Sequence, residues 1–157
     1  HPAKDFAPLK GHGRDRRFVM SYDPGKVEEI RSFYADCFGW DIIETEHSDP
    51  ENPVLFCATG PSTPDWEPRV CSFTNGFIKP KTADEPDASI VLEVKDLDET
   101  LKKTVEFGGK VLKERFTFEG EDYALIEDSE GNPLYLWEIK DRVPDYVTNP
   151  VTRTGAQ

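Results

Sequence analysis

The chain has 157 residues, of which 36% are hydrophobic and 32% charged, with 10 Phe, 5 Tyr and 3 Trp. That is about one domain, long enough to bury a core without metal or disulfide staples, and too aromatic to be disordered. A net charge of −12 with no basic stripe excludes a nucleic-acid surface, and no apolar run nears the roughly 18–20 residues of a membrane span.

Residues 1–16 mix Pro, Gly and charge without a period and are expected to form an extended arm. They hold no apolar stretch of the kind a secretory signal needs. Residues 17–22 (RFVMSY) form a short β-rich run, followed by the turn Asp23-Pro24-Gly25. Residues 26–37 place Val27, Ile30, Phe33, Tyr34 and Cys37 at the spacing of one helical face, and Gly39 stops the helix. Residues 40–46 (WDIIETE) and 53–58 (PVLFCA) are expected strands, separated by a polar loop that holds His47. The Pro-rich stretch 60–68 is a loop in which Trp66 is either a lid or a packing anchor. Residues 70–78 (VCSFTNGFI) resume strand character, with Asn75-Gly76 as a turn or bulge.

After the polar connector 80–86 the order repeats. Residues 89–94 (SIVLEV) form a strand. Residues 97–107 form a helix capped by Asp96 and ended by Gly108-Gly109. Strands follow at 110–118, 123–127 and 134–140, and residues 141–157 form a second arm. The chain is therefore βαβββ twice, with modules at about 17–78 and 88–140 of an α+β domain spanning 17–140. Two such units are expected to form a cup-shaped mixed sheet with helices outside and a ligand inside. Cys37, Cys57 and Cys71 are odd in number and lack a CxxC, which points to reduced thiols and a cytoplasmic setting.

Three segments resemble the vicinal oxygen chelate superfamily, the glyoxalase/bleomycin-resistance/dioxygenase-like domains. They are "FYADCFGW", "VKDLDETLKKTVEFGGKVL" and "DSEGNPLYLWE", and the likeness spans about residues 17–140. The resemblance implies the two-module fold and a ligand site between the modules, but not a reaction, because the family hosts several chemistries. Its metal-dependent members hold one divalent ion with His and Glu from four strands. By the family's spacings those positions fall on Val19, Ser72, Ser89 and Tyr135. None of these carries the imidazole, carboxylate or thiolate that such an ion requires, so no metal or other cofactor is expected.

Period-two alternation places Val91 and Glu93 on the face of Ser89, Ser21 beside Val19, Thr74 beside Ser72, and Trp137 beside Tyr135. Ile90, Leu92 and Val94 then face the helices. The expected lining is Val19, Ser21, Ser72, Thr74, Ser89, Val91 and Trp137 as ligand-binding residues, with Glu93 and Tyr135 as candidate catalytic residues. Such a set suits a ring-bearing organic molecule. Burial would raise the pKa of Glu93 toward acid–base use. The plainer readings are that these side chains fill the interior and that Glu93 pairs with an Arg or Lys. Two functions compete: a metal-independent lyase, isomerase or cyclase acting on a small organic substrate, and a binder that sequesters a drug or metabolite. No nucleic-acid or membrane partner is expected. A homodimer is, with the arms wrapping the partner.

Overall fold

The sequence patterning becomes ten elements in the computed structural model, which describes residues 12–70 and 72–139. The first module is β1 (Asp15–Tyr22), α1 (Val27–Phe38), β2 (Asp41–Glu44), β3 (Leu55–Ala58) and β4 (Gly76–Pro80). The second is β5 (Ser89–Val94), α2 (Leu97–Glu106), β6 (Lys110–Phe118), β7 (Glu121–Glu127) and β8 (Pro133–Glu138). Local chemistry sets the helix ends. Asp96 accepts a hydrogen bond from the Glu99 N–H at 3.0 Å, capping α2. Gly39 ends α1 in the left-handed region at φ 71°, its N–H returning to the Ala35 carbonyl at 2.9 Å.

The expected cup does not form. The eight strands make one open mixed sheet in the order β2-β3-β4-β1-β5-β8-β7-β6, neither closed nor strongly curled. Within the sheet the modules join through the antiparallel pair β1 and β5, flanked by the parallel pairs β1/β4 and β5/β8. That leaves β2 and β6 as edges. Alternation along a strand specifies which face is apolar; it says nothing about whether the outer edges of a sheet meet.

Both helices pack on one face. Val27, Ile30 and Tyr34 of α1 cover Tyr22, Leu55, Cys57 and Ile78. Leu97 and Leu101 of α2 pack with Val94, Ala124, Ile126 and Leu136. Phe33 and Cys37, expected on the buried face of α1, are exposed, and α1 has no fully buried residue. The opposite face carries a second apolar cluster of Val19, Val91, Tyr123, Leu125, Tyr135 and Trp137, against which Phe116 and Phe118 pack. No helix residue joins that cluster among the described residues, so this is the face open to a ligand.

Two strand starts differ from expectation. β1 begins at Asp15, inside the stretch read as an arm, and carries a register shift between Asp15 and Arg17 against β5. β4 begins only at Gly76. Asn75-Gly76 is not a turn: Gly76 pairs with both Phe18 and Cys57, and a Cβ there would come within 2.4 Å of the Phe18 carbonyl oxygen. Residues 1–11 and 140–157, where most of both arms fall, lie outside the described residues, as does Cys71. Among the described residues no helix is long and apolar enough to cross a membrane.

Candidate functional site

The register of the four central strands builds the site. Val19 of β1 pairs with Phe77 of β4, and Val91 of β5 pairs with Tyr135 of β8. These four side chains line a cavity of about 170 Å³ on the helix-free face. Its walls are completed by Val54, Phe116, Phe118 and Tyr123. Its polar groups are Lys79, Glu85 and Tyr135. Lys79 is two residues beyond Phe77 on β4 and so shares its face. Glu85 comes from the β4–β5 connector. The Tyr135 hydroxyl donates to Glu85 Oε1 at 2.5 Å, and Lys113 Nζ lies 3.5 Å from Glu85 Oε2.

The three polar groups differ in how they are satisfied. Burial, and then the bond to Glu85, push the Tyr135 hydroxyl far above the usual phenol range, so it keeps its proton. Lys79 Nζ is shielded from water and has no hydrogen-bond partner. Loss of hydration lowers its pKa, opposed in part by the charges of Glu85, Asp87 and Asp84.

Glu93 lies on the same face, opposite Trp137 in the β5/β8 ladder, and is completely buried. It does not line the cavity. Arg16 Nη1 donates to its Oε2 at 2.7 Å, and Arg14 Nε lies 3.6 Å from its Oε1. Arg16 also pairs with Glu67, which takes Arg17 at 3.2 Å as well. Consecutive strand residues normally point to opposite faces. The register shift at the start of β1 is what lets Arg16 and Arg17 converge on one carboxylate. Both guanidinium groups also lie over Trp137, at 5.2 and 5.4 Å from the ring centroid.

Of the residues selected from sequence, the cavity therefore gathers Val19, Val91 and Tyr135. Trp137 lines a second cavity of about 230 Å³ with Arg17, Trp66, Asp65, Glu119 and Glu121, and this cavity shares the Phe77 and Tyr123 walls of the first. Trp66 stacks on Phe56 at 4.4 Å, and its carbonyl accepts from Arg17 at 3.0 Å. The Ser21 hydroxyl donates to the Asp87 carbonyl and that of Ser89 to the Pro133 carbonyl, so both are already engaged. Ser72 and Thr74 are exposed in the loop before β4, not on a strand. Exposed His47 meets Glu119 through Nδ1 at 3.3 Å. Sequence reading missed Phe77, Lys79 and Glu85. Starting β4 at Gly76 would have put Phe77 and Lys79 on the Val19 face by alternation; Glu85, in a loop, carried no periodic signal.

With β4 beginning at Gly76, Phe77 rather than Ser72 stands beside Val19. The positions that hold a divalent ion in metal-dependent relatives are then hydrocarbon at Val19 and Phe77, an engaged hydroxyl at Ser89 and a protonated phenol at Tyr135. These residues do not fit a transition-metal ion. Among the described residues no group of three or more His, Cys, Asp or Glu is placed to hold one.

Residues 23–136 match the family profile of the Glyoxalase/Bleomycin resistance protein/Dioxygenase superfamily. No curated protein matches the chain. Among solved structures, a hypothetical protein from Bacillus halodurans C-125 is similar at 12% identity and TM-score 0.59, covering 84% of this chain and 98% of that one. Methylmalonyl-CoA epimerase from Mycobacterium tuberculosis is similar at 13% identity and TM-score 0.53, covering 91% and 97%. An extradiol ring-cleaving dioxygenase from B. fuscum is similar at 19% identity and TM-score 0.55, covering 96% of this chain but 39% of that one. Identities this low speak to the fold alone.

Proposed function

Because this chain belongs to the Glyoxalase/Bleomycin resistance protein/Dioxygenase superfamily, we propose that it binds a small organic molecule in the first cavity and moves a proton on it without a metal, as a lyase, isomerase or cyclase does. One observation carries this reading: an apolar cavity on the helix-free face with an unpartnered lysine and a hydrogen-bonded Tyr135–Glu85 pair. In this mechanism Lys79 meets the carbonyl or acidic oxygen of the guest and steadies the negative charge that develops there. Glu85 takes the proton from the neighbouring carbon. Tyr135, which keeps its own proton, orients the Glu85 carboxylate. At about 170 Å³ the cavity is below the ~300–1,000 Å³ typical of drug-sized guests, which favours a metabolite with one ring or a short chain.

The test is a screen of small carbonyl compounds and organic acids by native mass spectrometry, followed by proton–deuterium exchange on each binder in D₂O. Expected are binders lost in Val54→Trp, which fills the cavity, and exchange that survives EDTA. Binding without exchange in every case would favour the sequestering alternative. That alternative has its own support: the second cavity combines Trp66, Tyr123 and Trp137 with Asp65, Glu119 and Glu121, a lining suited to a cationic guest. Exposure of Phe33 at 50% and Phe38 at 63% on α1 supports the homodimer as part of the same reading. Sedimentation that finds only monomer at micromolar concentration would remove it.

A further inference from the structure

Resting on the proposed small-molecule site, we propose that Lys79 is a nucleophile that forms an imine with a small aldehyde or ketone seated in the first cavity. Lys113 pairs with Glu85 and sits over the Phe116 ring, Lys81 pairs with Asp23, and Lys110 lies near Glu127. An ammonium held by a carboxylate is kept protonated and unreactive. Lys79 has no such partner: its amine is shielded from water, makes no hydrogen bond, and belongs to a side chain that lines an apolar cavity. Loss of hydration penalises the ammonium form there, against the opposing charges of Glu85, Asp87 and Asp84, and so favours the free amine that a nucleophilic lysine needs. Its flexible four-carbon stem brings the nitrogen into the cavity without moving β4.

The neighbours supply the rest. The free amine of Lys79 adds to the carbonyl carbon, and the nitrogen's surplus proton passes to the oxygen to give a carbinolamine. A further proton, drawn from solvent and returned when the imine is hydrolysed, reaches that oxygen and lets it leave as water, and the nitrogen lone pair closes the C=N⁺ bond. The Glu85 carboxylate then removes a proton from the adjacent carbon. The C–H electron pair forms a C=C bond, and the C=N⁺ pair returns to nitrogen as an enamine. Reprotonation on carbon and return of one water release the product and restore the amine. No oxidant or reductant enters, and the ring walls Phe116 and Tyr123 make the surroundings of the imine apolar. The substrate class this assigns is a small carbonyl compound with a hydrogen on the carbon next to the carbonyl.

The probe is benzaldehyde with sodium cyanoborohydride at neutral pH, which reduces any imine to a stable benzyl-lysine without turnover. It is applied to the full chain and read by intact mass and peptide mapping. The expected result is one benzyl group at Lys79, formed faster than at any other lysine, because a lowered lysine pKa raises the free-amine fraction at neutral pH. The label should be absent in Lys79→Arg, which keeps the charge, and slowed in Val54→Trp. Labelling spread evenly over the lysines, or Lys79 labelling untouched by Val54→Trp, would overturn the proposal. If benzaldehyde raises the melting temperature, Val54→Trp removes that rise and Lys79 stays unlabelled, the imine proposal falls while the cavity reading stands. Loss of the cavity reading itself is decided separately, by the ligand screen.

Discussion

Two groups of charges share the helix-free face, and they are built in opposite ways. In one, Arg14, Arg16 and Arg17 meet Glu67 and Glu93 in a compact network beside Trp137, with Arg16 and Glu93 almost wholly buried. In the other, Tyr135 and Glu85 are joined but Lys79 has no partner, and the space beside it is a cavity. The first group is closed in charge, each carboxylate facing a guanidinium, although Arg14 Nη1 and Glu93 Oε1 make no hydrogen bond; it holds the start of β1 and the Trp66 loop onto the sheet. In the second, the Lys79 amine is left without a hydrogen bond. A charge on the right face is therefore weak evidence of chemistry; whether its partners are already present is the stronger criterion.

The largest effect should come from opening the closed group. Arg16→Met leaves the carboxylates of Glu67 and Glu93 buried without their shared guanidinium, and we expect a loss of ~3–5 kcal/mol in denaturant unfolding. A loss below that of an ordinary surface substitution would mean the network is not closed. Next, Tyr135→Phe should lower turnover by ~10²–10⁴-fold, the usual worth of a group that positions or moves a proton, with little change in melting temperature. A variant equal to the parent in turnover would erase the contrast between the groups. Gly76→Ala tests the register that puts Phe77 and Lys79 on this face. Its Cβ would crowd the Phe18 carbonyl oxygen, and the expected cost is about 1–3 kcal/mol by thermal or denaturant unfolding.

The smallest effect is a gain. Lys79→Met removes an ammonium that lost hydration without gaining a partner, and should raise stability by about 1 kcal/mol at pH 7, or about 2–4 °C in Tm. The sign with pH follows from the lowered lysine pKa. The folded chain releases this proton at lower pH than the unfolded chain, so the parent's penalty is full below the folded value and fades as pH rises through it toward ~10.4. The advantage of Lys79→Met should therefore shrink in scans run at rising alkaline pH. An advantage that grows with pH would contradict the assignment.

Much of this was legible in the chain because it is local. The apolar spacings of α1 and α2 and the alternation of β5 and β8 give the repeat, and they put Val91 beside Tyr135 on one face. Glu93 was also placed on that face from Leu92 and Val94, its apolar neighbours. Its partners were not legible, because Arg16 and Arg17 converge only through a register shift that no periodic pattern announces. Lys79 was missed for a related reason. Asn75-Gly76 reads as a turn or a bulge, whereas in the fold Asn75 is buried, its side chain bonding Thr59 and Ser62, and Gly76 opens β4 against the Phe18 backbone. The open sheet in place of the expected cup is a matter of distant edges, which local spacing does not encode.

The most direct test of the contrast is an NMR titration of the full chain, with side-chain resonances of both groups assigned, against the small carbonyl compound that binds best in the screen. Saturable shifts are expected at Lys79, Tyr135 and Phe116, with those of Arg14, Arg16 and Glu93 unmoved. Shifts centred on the Arg16–Glu93 network, with Lys79 and Tyr135 silent, would contradict it.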